Sequence, residues 1–407
     1  LAALSTNKQW HKGIPSLLWV VVLATIAACV GGETILGYQL SGLSWAIPMG
    51  VAIWVLSMNP SRVKFPFFIW APWVSVVIIY VCVADAPNAI QRSIMLLCPL
   101  VVGMAVSTLS IGTAELEKVI KLLQLVAYAL AAIVVTKAGI LITGKLPEIT
   151  GMAAEVITGS LLACIFATQY AFKQPKALLL WSLLVAIPIV ALTRTGIVVA
   201  TLTLPLTFAP LNLFKRVLFI GTVVFFGIVV FNSERVQKKM FYSGRGSISD
   251  IRKSNENFRT AGRSTMWDKM IPEIEEMPLL GHGANASEPF VSRLTGGLTH
   301  PHNDWLRLLF DYGYVGTALY AFTILMQTLH ALKFARQTKD TVQMLFYIGA
   351  SSFLSFFLFM FTDNIILYAA FFGNLQFMIL GLAYASLRVS PKVAATPRSS
   401  SILVRQC

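Results

Sequence analysis

Charge is scarce in this chain. Only 12% of its 407 residues are Asp, Glu, Lys or Arg, 56% are hydrophobic, and the mean hydropathy is +0.72. So little charge excludes a soluble globular domain and places the chain among polytopic membrane proteins. Cysteine is sparse too. Cys29, Cys82, Cys98 and Cys164 fall inside apolar runs and Cys407 is terminal, with neither zinc-ligand spacing nor a disulfide framework, so the first four read as small buried hydrophobes. Also missing are an Asp-x-Asp triplet or carboxylate cluster able to hold Mg²⁺ or Mn²⁺, a repeat of fixed period, and the alternating strands of an outer-membrane barrel.

Long apolar runs are present instead. They lie at 15–31, 38–58, 65–84, 90–110, 117–143, 151–172, 177–193, 195–213 and 216–232, then at 312–333, 341–361 and 366–387. Each is long enough for a helix to approach or cross an apolar core of about 30 Å. The chain is therefore expected to be an all-α integral membrane protein of about twelve transmembrane helices: nine spans in 1–232, one large loop with short helices at 233–311, three spans in 312–388, and a tail at 389–407. The runs meeting near 194 require a tight hairpin. The start at Leu1 reads as processed or trimmed. Residues 15–31 read as a retained span, because Val30-Gly31-Gly32-Glu33 is a weak cleavage site, and the Ser/Pro-containing stretch 390–401 reads as disordered.

Cations mark alternate loops. Lys8 and Lys12, Arg62 and Lys64, Lys118 and Lys121, Lys173 and Lys176, Lys215 and Arg216, Lys333, Arg336 and Lys339, and the tail residues Arg388, Lys392, Arg398 and Arg405 fall on one side; the intervening loops 31–43, 84–88, 144–150 and 362–365 together hold only Lys145. The positive-inside rule then puts both termini in the cytoplasm and 233–311 on the opposite face. It also disposes of nucleic acid as a partner. The net charge is +14, but 17 of the 32 Lys and Arg are these loop and tail residues, which topology and anionic lipid headgroups explain.

Polar chemistry is concentrated in the loop. Its first part, 235–263, carries eight cations (Arg235, Lys238, Lys239, Arg245, Arg252, Lys253, Arg259 and Arg263) against Asp250 and Glu256, and should attract an anion. Met266, Trp267, Met270, Ile271, Ile274 and Met277 have the spacing of an amphipathic helix, capped by Ser264 or Thr265, ended by Pro278 and Gly281, and lying along the membrane or over the bundle. After a Gly-rich stretch comes His300-Pro301-His302-Asn303-Asp304, with a helix expected to start near His302. His302 has two readings: a capping residue, or a proton-exchanging group beside a cationic surface. His300 reads as structural or auxiliary, and His282 as part of a turn. Arg194 either holds hairpin carbonyls or offers a guanidinium to an anion in the same cavity. Asp363 either orients His302 or binds sugar hydroxyls, or is an ordinary loop acid. Arg92 is a further cation at that face, and Glu155 a polar contact inside the bundle.

At Gly262-Arg263, Trp267, Pro278-Leu279-Leu280-Gly281-His282-Gly283, His302-Asn303, Leu306, Gly313 and Gly316, together with Thr193-Arg194-Thr195-Gly196, the chain resembles the O-antigen ligase and polymerase superfamily of bacterial envelope glycosyltransferases. The resemblance implies a type C glycosyltransferase-like fold in the bacterial inner membrane with a periplasmic site. It implies a donor glycan on undecaprenyl pyrophosphate and, for a ligase, lipid A-core as acceptor, with membrane lipids around it. His302 matches the family's essential histidine, Arg263 its loop arginine and Arg194 its membrane-embedded arginine. His300 is a second candidate base, Arg259 a second phosphate ligand, and Asn303, Asp363 and Arg92 are candidate substrate contacts. With guanidiniums in place of a metal, the expected reaction is metal-independent and cofactor-free, a single displacement that inverts the anomeric carbon. The alternatives are a polymerase or a protein O-oligosaccharyltransferase of the same superfamily and, from another class, a secondary transporter. A transporter would show two related six-span halves and a midplane site, whereas here the candidate residues cluster at one face.

Overall fold

The computed structural model describes residues 14–30, 34–35, 38–142, 152–252, 255–260 and 262–387. Expectations concerning Lys8, Lys12, the 31–33 junction, Lys145, Lys253 and the tail 389–407 concern residues outside this set. Among the described residues, a minimal antiparallel pair, β1 (Thr34–Ile35) and β2 (Tyr38–Gln39), is accompanied by fifteen α-helices. These are α1 (Ser16–Val30), α2 (Leu40–Met58), α3 (Phe67–Cys82), α4 (Ala89–Ser107), α5 (Thr113–Ile142), α6 (Ala153–Ala171), α7 (Lys176–Val190), α8 (Arg194–Leu202), α9 (Leu213–Phe231), α10 (Glu234–Met240), α11 (Arg263–Glu276), α12 (Ser287–Thr295), α13 (Asp304–Gln337), α14 (Asp340–Phe359) and α15 (Asn374–Ala385).

Six of them, α4, α5, α6, α9, α13 and α14, are long and apolar enough to cross a membrane, and α1, α2, α3, α7 and the helical stretch Ala369–Ala385 are shorter apolar helices. The run 195–213 differs from the expected span. Its helix α8 has nine residues, about 14 Å at 1.5 Å per residue, and turns and bends follow through Pro205 and Pro210, which cannot donate to a helical ladder. Arg216 takes up the freed carbonyls, donating to Pro205 O at 2.7 Å, Ala209 O at 2.9 Å and Leu211 O at 3.3 Å. Irregular backbone at membrane depth is stable only when satisfied inside protein in this way.

The centre of the bundle is α6, buried from Glu155 to Gln169, and α15, buried along its whole length against α4 and α14. Glu155 meets Lys137 of α5 there, as the polar-contact reading expects. At the opposite extreme, α9 buries none of its residues. Gly196 lets α8 approach α6 closely, because a Cβ at this position would lie 2.3 Å from Val156 Cγ1.

One break shapes the functional end. Helix α13 is interrupted at Gly313, with φ 64° and ψ −170°, a conformation only glycine adopts cheaply. The interruption exposes backbone groups, and the segment 278–283 satisfies them: His282 N donates to Phe310 O, Gly283 N to Asp311 O, Tyr314 N to Pro278 O and Val315 N to Leu279 O. The two backbones touch so closely that a Cβ on Gly313 would sit 2.3 Å from Leu279 O, and one on Gly281 would sit 2.5 Å from Gly313 N. The Gly-rich motif and the glycine at 313 are thus two halves of one contact. His282 belongs to that turn, its Nε2 2.8 Å from Glu273 O and its ring against Phe310.

Candidate active site

The polar end is built by α11 and α12 folding back onto the start of α13. Met266, Met270 and Ile274 of α11 are buried with Val291 and Phe310, so the amphipathic stripe covers the beginning of α13. Ile271 and Met277, expected in that stripe, are exposed. Neither Ser264 nor Thr265 caps α11. Gly262 does so in a left-handed conformation with no side-chain cap, and Ser264 Oγ instead pairs with Thr260 Oγ1 at 2.8 Å.

Helix α13 begins one residue after Asn303, whose side chain accepts from Leu306 N at 3.1 Å, the capping role its residue type favours. His302 stands just outside the helix at φ 51°, a left-handed conformation that costs a non-glycine residue about 1–2 kcal/mol. The turn after α14 holds it there: His302 N donates to Asn364 Oδ1 at 3.0 Å, Asn364 Nδ2 lies 3.3 Å from His302 Nδ1, and Asp363 Oδ1 lies 3.8 Å from the same ring nitrogen. Two more bonds lock the segments together, Asp304 N to Met360 O at 2.7 Å and Ile366 N to Asp304 Oδ2 at 2.8 Å. Nδ1 is therefore the inward nitrogen. The His302 side chain remains 31% exposed, so the ring is reachable, and Nε2 has no partner among the described residues.

On one flank of this turn lie the arginines. Arg263 Nη1 donates to Thr362 O at 2.7 Å, and Thr362 Oγ1 to Thr195 Oγ1 at 2.6 Å, which joins the loop, the 194 hairpin and the His302 turn. Arg194 Nη1 donates to Arg259 O at 3.2 Å, its guanidinium is 5.5 Å from the Phe258 ring centre, and that of Arg259 is 4.7 Å from Tyr242. Arg263 is close enough to Arg194 to act on its charge. Lys239 joins the group; burial and then the Arg194 charge hold its ammonium below the ordinary lysine value. Among the described residues, none of Arg194, Arg259 and Arg263 makes an ion pair. Arg194 and Arg263 each give one Nη1 donor to a carbonyl and Arg259 Nε is buried without a hydrogen-bond partner, so among the described residues their positive charge is not compensated by a carboxylate.

On the other flank the cations are neutralised. Arg92 pairs with both oxygens of Glu288, at 2.8 and 3.1 Å, and Arg307 lies 3.5 Å from Asp311 and donates to Asn285 Oδ1 at 2.9 Å. His300 sits by them, pushed down to about 4 by burial first and then by the Arg307 and Arg92 charges, so its imidazole is neutral near pH 7. The structure thus brings Arg194, Arg259 and Arg263 together, sets His302, Asn303 and Asp363 beside them, and places Arg92 and His300 apart on the far side. Sequence reasoning missed Asn364 and Asp304 as the groups fixing His302, and the Arg307–Asp311 pair. Only the last had a usable local signal, an i,i+4 opposite-charge spacing.

Fold and site together define a polytopic membrane protein with a cationic cluster and a reachable histidine at one end of its bundle. A family model described as O-antigen ligase matches residues 177–321, less than half of the chain, and in this stretch the chain is similar to that family. The match includes Arg194, Arg259, Arg263, His300, His302 and Asn303, whereas Arg92 on α4 and Asp363 in the turn after α14 lie outside it. No curated protein matches the chain.

Proposed function

We propose that the protein is an O-antigen ligase of the bacterial inner membrane, moving a glycan from undecaprenyl pyrophosphate to a sugar hydroxyl of lipid A-core at the periplasmic face. The observation that carries this reading is the arginine cluster without counter-charge, joined through Thr362 to the turn that holds His302. Guanidiniums match phosphate oxygens in geometry and charge, and a group of cations repels a metal ion while it attracts a pyrophosphate. An apolar groove of about 460 Å³ between α7, α8 and α9 passes Ile197 and Thr201, within two turns of Arg194 on α8. A polyprenyl chain lying there would have its pyrophosphate at the cluster.

The reaction is a single displacement. The acceptor hydroxyl gives its proton to His302 Nε2, its oxygen bonds to the anomeric carbon on the face opposite the pyrophosphate, and the glycosyl C–O bond breaks with inversion. The departing electron pair stays on the pyrophosphate, where Arg194, Arg263 and Arg259 stabilise the negative charge. Asp363 takes over Nδ1 from the Asn364 Nδ2 contact, which keeps the ring hydrogen on Nδ1 and Nε2 free to accept, and then steadies the imidazolium. Its present 3.8 Å separation closes to a hydrogen bond with a shift of about 1 Å, the tightening common when a catalytic site fills.

The test is reconstitution. Purified protein is incubated with undecaprenyl-pyrophosphate glycan and, separately, lipid A-core, a second lipid-linked glycan, or protein, with and without EDTA. Glycosylated lipid A-core, formed equally with EDTA, is the expected product. Elongated lipid-linked glycan would identify a polymerase instead, and a strict need for divalent metal would overturn the role given to the arginines.

A further inference from the structure

A cavity of about 610 Å³ opens between the starts of α2 and α4 and the turn before α15, lined among others by Trp45, Gln91, Arg92, His300, Tyr368 and Phe371. Its volume lies in the range of small-molecule sites, about 300–1,000 Å³. It is not the arginine cluster, and its electrostatics are opposite. Glu288 neutralises Arg92 with a bidentate pair, Glu288 is itself anchored by Asn285, and Arg307 behind is matched by Asp311. A cavity with paired charges has no surplus to offer a phosphate. It presents what an uncharged polyol needs: planar amide, guanidinium and imidazole edges for hydroxyls, and aromatic faces for the C–H side of a sugar ring. The cavity also reaches the reacting centre, since Tyr368 in its lining lies close enough to Asp363 and Asn364 for their side chains to act on its hydroxyl, and these two residues face His302 Nδ1.

We propose that this cavity binds the terminal sugar of the acceptor, with Trp45, Gln91 and the Arg92–Glu288 pair as its recognition groups and Tyr368 as the link to the His302 turn. The inference rests on the glycosyl-transfer reading and adds a division of labour: phosphate on one flank of residues 300–304, acceptor sugar on the other. The acceptor identity is then set by α2 and α4, which lie outside the segment that matches the family model.

Two measurements test it. In steady-state transfer from undecaprenyl-pyrophosphate glycan to lipid A-core, Trp45→Ala and Gln91→Ala are each expected to raise the acceptor KM about tenfold, a loss of about 1.4 kcal/mol, with donor KM unchanged and Trp45→Phe recovering most of the effect. In titration of delipidated core oligosaccharide into the purified protein without donor, the same variants should weaken binding by the same factor. An acceptor KM and Kd within twofold of wild type, or a rise in donor KM alone, would overturn the assignment. His302→Ala and Arg263→Ala run alongside: wild-type turnover by both defeats the transferase reading, whereas their loss of turnover combined with unaffected Trp45 and Gln91 variants defeats only the acceptor site.

Discussion

The two flanks of residues 300–304 contain the same side chain in opposite circumstances. On one side Arg194 and Arg263 each bond one carbonyl, Arg194 and Arg259 lie over aromatic rings, and none of the three has a carboxylate partner among the described residues. On the other, Arg92 and Arg307 are matched by Glu288 and Asp311, and the Arg307 and Asp311 side chains are 4% and 1% exposed. Removing water from a charge is tolerated only if something replaces it. The paired flank has its replacement built in and is therefore structural or recognises neutral groups. The unpaired flank lacks one, and the proposed anionic donor would supply it.

The sharpest prediction lies between the flanks. His302→Ala should lower kcat by about 10²–10⁴-fold, the usual contribution of a positioned acid or base, while donor binding measured by titration persists; near-normal turnover would remove His302 from proton transfer. Breaking the paired flank should be felt in stability. Asp311→Ala leaves the Arg307 charge buried and alone, an expected loss of about 3–5 kcal/mol, visible as a lowered thermal midpoint. Breaking the unpaired flank should be felt in function. Arg263→Ala and Arg194→Ala each remove charge-assisted contacts of about 1.5–3 kcal/mol, hence about 10–100-fold in donor kcat/KM, with little change in midpoint. If the Arg194 and Asp311 variants lost stability alike, the contrast between the flanks would fail.

The smallest expected effect concerns pH. The groups acting on His300 are Arg307, Arg92, Glu288 and His302. Because burial and the two arginine charges hold His300 near 4, the unfolded chain takes up its proton first. That contribution to stability is present at neutral pH and is lost as pH falls from about 6.5 toward 4. Acceptor Kd should be flat from pH 6 to 8, and replacing His300 with Gln should flatten the acid limb of the melting profile. An unchanged acid limb would show that His300 does not titrate in that window.

Much of this was legible in the sequence because lipid imposes blunt rules. Apolar length gives spans, whereas the close backbone packing of the Pro278–Gly283 stretch on Gly313 emerged only from the fold. The run 195–213 misled because apolarity reports burial and not helicity, and its prolines are served by Arg216 from the next helix. Asn364 and Tyr368 were invisible for a different reason: nothing local distinguishes a loop asparagine that grips a histidine 62 residues away from one that grips water.

By itself the sequence determined the membrane class, the concentration of polar groups around 233–311 and the candidates whose side-chain chemistry suits a phosphate or a proton. These follow from composition and residue chemistry, which do not depend on packing. Only the tertiary structure decided which arginines keep their charge free and which surrender it to a carboxylate. That outcome depends on distances between helices far apart in the chain, and a few ångströms between Arg92 and Glu288, or Arg194 and any acid, separate a neutral cavity from an anion site.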